Sequence, residues 1–205
     1  MSQLPSSVAA LRTAFGDAVE RALVSCGDAI VYVRPERAHD VLQWLKTERG
    51  QTFDYLTDIT AVEYRDPELP LEVVWQLRSL ERKADLRVKV ALDKQAPLEV
   101  RSVYDLWRGA DWLEREVYDM FGVVFTGHPD LRRILMWETY AEGFPLRKDF
   151  PLRGNFTRAE QTRQALAANP EANYSIEELS IADAYDELPE DMKRRLNRGE
   201  RGEIR

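Results

Sequence analysis

Hydrophobic positions along the first hundred residues follow first a helical and then an alternating spacing. In SSVAALRTAF, Val8, Leu11 and Phe15 share one helical stripe, with Ser6 or Ser7 as N-cap and Gly16 as stop. VERALVSCGDAIVYV breaks at Gly27-Asp28 between two β-prone pieces, which predicts a hairpin. Pro35 opens PERAHDVLQWLKTERG, where Ala38, Val41, Leu42 and Leu45 form a second stripe that ends at Gly50 and leaves His39 on the solvated outer face. FDYLTDITAVEY, LEVVWQLRSL and DLRVKVAL, separated by DPELP and ERKA, read as three further strands. Short turns between neighbours predict an α+β two-layer domain, a mixed, largely antiparallel sheet with helices on one face.

After Pro97 the pattern changes. SVYD and DWLE each carry an oxygen-bearing residue three places before an acid, the capping-box spacing, which predicts two short helices divided by Gly109. On the second, Leu113, Val117, Met120 and Phe121 gather on one side and Arg115, Glu116 and Asp119 on the other, with Gly122 as the stop. VVF gives a short strand and TGHP a turn. In GFPLRKDFPL, Pro145 and Pro151 forbid a long helix and favour extended chain. The last fifty residues are rich in charge and poor in apolar runs, so they are expected to order only on a partner. The expected division is a domain over residues 1–142 and an extended arm with a polar tail over 143–205, wrapping a partner subunit.

A net charge of −7 removes the basic face that nucleic acid or an anionic membrane surface rewards. No apolar run reaches bilayer length, and the N-terminus lacks the pattern of a signal peptide, so a cytoplasmic protein is expected. The single cysteine, Cys26, reads as a small buried hydrophobe and cannot hold an iron-sulfur cluster alone.

WLEREVYDMFGVVFTGHPDLRRIL, residues 112–135, concentrates the candidate chemistry. Glu114, Glu116, Asp119 and His128 could supply acid and base or a metal site. Against this, Arg115 lies between Glu116 and Asp119 and can neutralise both, which favours a salt-bridged face. His128, followed by Pro129, reads as a hydrogen-bonding turn residue. The sequence has no glycine-rich phosphate loop, CxxC or GxSxG. Trp107, Trp112, Tyr118, Phe121, Phe125, Trp137, Phe144 and Phe150, interleaved with Arg115, Arg132, Arg133 and Arg147, have an interface composition shared with the core. In the arm, Phe144, Leu146, Phe150 and Leu152 are expected to be buried only against another chain, while Arg147, Lys148 and Asp149 fix register by charge pairing.

ERE at 114–116, Asp119-Met120-Phe121, His128 and Arg132-Arg133-Ile134-Leu135 stand at the spacings of the signature of the C subunit of respiratory complex I, the proton-pumping NADH-quinone oxidoreductase. GHPDLRRIL, with Pro129 and Asp130, and GFPLRKDFPL resemble its following segments, so the resemblance runs over about residues 30–152. It implies a non-catalytic scaffold of the peripheral arm, on the cytoplasmic side of the bacterial inner membrane, with no catalytic, cofactor-binding or metal-ligating residue in this chain. FMN, iron-sulfur clusters and quinone would belong to other chains, and the partners would be the hydrogenase-like D subunit and the B subunit, which together form the quinone site. Related membrane-bound nickel-iron hydrogenases and dehydrogenases carry an equivalent subunit, which is the alternative. An independent acid/base or metal-dependent enzyme is the reading furthest from it.

Overall fold

The computed structural model describes residues 6–66 and 68–168, with Glu190 and Lys193. Its elements in chain order are α1 (Ser6–Phe15), β1 (Val19–Ser25), β2 (Asp28–Val33), α2 (Ala38–Thr47), β3 (Tyr55–Glu63), β4 (Leu71–Ser79), β5 (Ala84–Leu92), β6 (Glu99–Arg101), α3 (Ala110–Phe121), β7 (Val124–Thr126) and α4 (Arg158–Ala168). Five strands form one sheet in the order β1-β2-β5-β4-β3, and β6 and β7 form a separate parallel pair. Within the large sheet only β2 and β5 run parallel. The α+β class and the mixed sheet follow the sequence expectation.

Alternation places the core. Val31, Val88, Trp75 and Ile59 are register partners across four strands, and all are buried. Val8 and Leu11 of α1, Val41, Leu42 and Leu45 of α2, and Val117 and Met120 of α3 join them in one apolar cluster. The opposite sheet face is polar: Lys89 donates to Glu72 at 2.8 Å and Arg87 donates to Gln76 and Asp28 at 3.0 Å. The β1–β2 turn is made by Cys26 and Gly27, both at positive φ (52° and 95°), as the twist of a two-residue hairpin requires. That position exposes Cys26, which is therefore not the buried hydrophobe expected.

Four further expectations change. His39 is buried, not solvated: its Nε2 lies 3.0 Å from each carboxylate oxygen of Asp105, so this polar residue faces inward against a specific partner. Burial works to raise the Asp105 pKa, but the hydrogen bond and electrostatic attraction of His39, a backbone hydrogen bond and Arg101 together outweigh it and hold that carboxyl below its ordinary range. SVYD is a turn, not a helix, because Ser102 and the Val103 N–H are both engaged by Glu114. The chain forms two compact units, Met1–Thr157 and Arg158–Arg205, so the first part of the arm lies with the domain and the boundary is not at residue 142. In the second unit α4 is helical, contrary to the expectation for its stretch: RAEQTRQALAA is built from strong helix formers, and Arg163 pairs with Glu160 at 2.6 Å. The remainder of the expected polar tail, Glu190 and Lys193 apart, lies outside the described residues.

Candidate functional site

Helix α3 supplies the frame. It runs from Gly109, its N-cap residue, to Gly122, whose left-handed φ of 77° ends the helix as its N–H bonds the Tyr118 carbonyl at 2.9 Å. Asp111 is already inside the helix, and Glu114 turns away from it, so the DWLE capping box does not form. Amphipathic reasoning put Arg115 and Asp119 outside. Instead Glu114, Arg115 and Asp119 are buried and Glu116 of this group is exposed, because the chain after β7 returns and covers the expected polar side.

Asp119 is the hub. Its Oδ2 accepts the N–H groups of Ile134, Leu135 and Met136 at 3.1, 2.7 and 2.8 Å, while Oδ1 accepts Arg133 Nη1 at 2.6 Å. Burial pushes the carboxyl pKa up, but the Met136 N–H, Arg133 and the other amides outweigh it and hold it below the usual range. Arg133 then extends the bond network: Nη1 also donates to the Asp119 carbonyl at 3.1 Å and Nη2 to the Gly143 carbonyl at 3.0 Å. Its guanidinium lies 5.1 Å from the Tyr140 ring centroid and 5.3 Å from that of Phe144. One arginine thus fastens helix, loop and arm together.

Arg115 does not bridge Glu116 and Asp119 as expected. It donates Nε to the Arg132 carbonyl at 3.2 Å and Nη2 to the Arg133 carbonyl at 3.1 Å, and lies over the exposed Trp112 ring. Glu114, fully buried, accepts Ser102 Oγ at 2.6 Å and the Val103 N–H at 2.7 Å. Burial raises its pKa to about 7 despite those two donors. His128 is the expected turn residue: its Nδ1 accepts the Asp130 N–H at 3.1 Å, which leaves Nε2 to donate to the Asp111 carbonyl at 3.2 Å. Pro129 and Asp130 are exposed, and Asp130 accepts from Arg132 at 2.8 Å.

The arm docks on its own domain. A Cβ on Gly122 would come within 2.5 Å of the Phe144 ring, so the ring occupies the space that glycine leaves. Leu146 N–H donates to the Met120 carbonyl at 3.1 Å and Lys148 N–H to Glu63 at 2.7 Å. Phe144 and Phe150 are accordingly half-buried without another chain, which corrects the expectation for those two; Leu146 and Leu152 stay exposed, as do Lys148, Asp149 and Pro151, while Pro145 is half-buried. Of the aromatics, Trp107, Phe121 and Phe125 complete the core. Tyr140, Glu63 and Gly143 belong to this arrangement and carried no signal in the sequence patterns, and Ser102, read as a helix cap, bonds Glu114 instead.

Glu116, Asp119 and His128 are not brought to one point: Asp119 is spent on Arg133 and the 134–136 amides, His128 on residues 111 and 130, and Glu116 faces solvent. Among the described residues no group of three or more His, Cys, Asp or Glu side chains could hold a metal ion, and no helix is long and apolar enough to cross a membrane.

The fold and the charged helix define a class: a two-layer α+β domain whose buried charges lock a C-terminal extension in place. The profile of the family described as "Respiratory-chain NADH dehydrogenase, 30 Kd subunit" matches residues 31–156, and the chain belongs to that family. It is 47% identical over 141 residues to the C 2 subunit of NADH-quinone oxidoreductase from Rhizobium etli (strain CIAT 652), covering 68% of this chain and 73% of that one. It is 45% identical over 142 residues to the C subunit of NADH-quinone oxidoreductase from Roseiflexus sp. (strain RS-1), covering 69% and 80%. Among solved structures, a trypsin-resistant fragment (1-134) of Nqo5 superposes with a TM-score of 0.52 at 31% identity, over 60% of this chain and 98% of that one. A chain of an archaeal membrane-bound sulfane sulfur reductase shares the fold, with a TM-score of 0.61 at 22% identity over 77% and 88%.

Proposed function

We propose that this chain is the C subunit of a proton-translocating NADH-quinone oxidoreductase: a scaffold without an active site of its own, held in the peripheral arm on the cytoplasmic side of the membrane. In this reading it packs against the hydrogenase-like D subunit and the B subunit. FMN, iron-sulfur clusters and quinone belong to other chains. The observation that carries it is the use of the signature charges: Asp119, Arg133 and Arg115 spend their bonds on backbone and on one another, and Glu114 spends its own on Ser102 and the Val103 N–H, an arrangement that fixes an arm and leaves Leu146 and Leu152 exposed on it. A buried carboxylate held by three amides and an arginine is built for rigidity, and proton transfer needs a group within reach of a substrate. Family membership and the relatives from NADH-quinone oxidoreductases supply the complex.

Isolation of the complex from native membranes tests this. The chain is expected to co-migrate with NADH-quinone oxidoreductase activity and to form cross-links to the hydrogenase-like D subunit through residues 143–157. The purified chain is expected to be colourless and free of stoichiometric iron, zinc and flavin. A chain that runs alone and turns over a substrate, or that carries its own metal or flavin, contradicts the reading.

A further inference from the structure

Glu116 is the acid of the ERE stretch that the buried knot does not use. Its side chain is exposed, and no hydrogen bond or ion pair links it to another described residue. One helical turn before it stands Trp112, 61% exposed although this side chain is on average highly buried. One turn after it, Asp119 takes the Leu135 N–H at 2.7 Å, which seats Leu135 over that turn with its side chain 60% exposed. Positions four and seven apart share a helix face, so Trp112, Glu116 and Leu135 form one stripe along the outer side of α3, apolar at both ends and acidic between.

The stripe is rigid before anything binds. Arg115 lies 5.3 Å from the centroid of the Trp112 ring while donating to the Arg132 and Arg133 carbonyls, and Asp119 holds the backbone from 134 to 136. Little ordering entropy is therefore left to lose on contact. Its open charge is negative, because the neighbouring cations are committed: Arg132 to Asp130 at 2.8 Å, Arg133 to Asp119 at 2.6 Å, and Arg115 to the two carbonyls. A carboxylate one turn from an accessible indole suits a cation, which the acid pairs with and the ring attracts. A ring that already carries one cation can take a second: Tyr32 of this chain lies under both Arg21 at 4.0 Å and Lys89 at 5.5 Å. A second copy of this chain, with its net charge of −7, is a poor match for an acidic stripe. We infer that the outer stripe of α3 docks a neighbouring subunit of the complex, which lays an arginine or lysine across Trp112 onto Glu116 and sets an apolar side chain against Leu135. This contact is additional to the arm, and it rests on the assembly reading above.

The test compares the full chain in its co-expressed, purified complex with the same chain isolated. Hydroxyl-radical oxidation, read residue by residue by mass spectrometry, should mark Trp112 and Leu135 in the isolated chain and spare them in the complex. Equal oxidation in both overturns the inference while leaving the assembly reading intact. Sparing in the isolated chain also overturns it, since the stripe would then be covered by the chain itself or by a second copy. Tagged Trp112→Ala and Glu116→Lys chains are then followed as they leave the complex during extended washing. Each is expected to leave on the order of 30-fold faster than the wild type, as when an anchoring side chain is lost. Isolated Glu116→Lys should melt with the wild type, because its side chain stands in solvent, so its faster release cannot be a failure to fold. A Glu116→Lys chain retained as long as the wild type overturns the inference, by showing that no cation meets that carboxylate. A wild-type chain that never co-purifies with the other subunits overturns the assembly reading, and this inference falls with it.

Discussion

Two regions of the same domain are held by different forces. Between Val19 and Leu92 the sheet is fixed by apolar register: Val31, Val88, Trp75 and Ile59 stack across four strands against three helices, and the charges lie on the other face. Between Ala110 and Phe150 the order is inverted, with charges inside: Glu114, Arg115 and Asp119 are buried and organise a loop and an arm that have little regular structure. The sheet loses stability when a buried methylene is removed or an extra one is forced in, and it tolerates volume-conserving exchange. The charged knot depends on complete satisfaction of every member, so a single atom's loss there strands several others. The first region should respond to volume, and the second to charge and pH.

The largest expected effect comes from the hub. Asp119→Ala strands Arg133 and three amides, and removing one partner of a buried pair costs about 3–5 kcal/mol, measurable by urea unfolding at neutral pH. Asp119 has a depressed folded pKa, so its contribution is fully present above the unfolded carboxylate value and is lost as pH falls through the folded one; the wild-type advantage over the variant should shrink in strong acid.

Glu114 has the opposite sign. Its folded pKa is raised from 4.5 to about 7, so the native state favours the protonated form: its own contribution to stability is greatest below pH 4.5, falls as pH rises toward 7, and is flat above it, a loss on the order of 3 kcal/mol. Comparing urea midpoints of Glu114→Gln and wild type across that interval should show the slope in the wild type alone. Gly122→Ala is smaller: it places a methyl against Phe144 and strains a φ of 77°, an expected cost of about 1–3 kcal/mol with loosening of the arm. Glu116→Gln is smallest. Its side chain is exposed, and a stability change beyond about 0.5 kcal/mol in the same assay would mean that the outer face of α3 is also part of the knot.

The contrast also explains what could be read from the chain. The stripe Ala38, Val41, Leu42 and Leu45 and the three long strands form where apolar spacing places them, and the hairpin expected to turn at Gly27-Asp28 turns one residue earlier, at Cys26-Gly27. The parallel β2–β5 pairing was hidden because it joins strands far apart in sequence. In the knot, periodicity misled: it treats a charge as a solvent marker, whereas Asp119 and Arg115 find their partners at residues 132–136, beyond any helical window. His39 was misplaced for the same reason, its partner Asp105 being 66 residues away. The family signature contains Arg115, Asp119 and Arg133, which the structure brings together, but also Glu116 and His128, which do not join them, and it shows none of the bonds that each makes. Docking of the arm was missed because its seat is an absence, the missing side chain of Gly122, and its other contacts are backbone N–H groups, which every sequence carries.

The most direct measurement is amide hydrogen exchange on the full chain, wild type against Asp119→Asn, which keeps the shape and removes the charge. In the wild type, the amides of Ile134, Leu135, Met136, Leu146 and Lys148 should be protected. In the variant they should lose protection together, the arm amides with those bonded to residue 119, while the amides of β4 and β5 keep theirs. Retained protection at Leu146 and Lys148, or loss spread evenly through the sheet, would contradict the claim that the buried charges of α3 are what hold the arm.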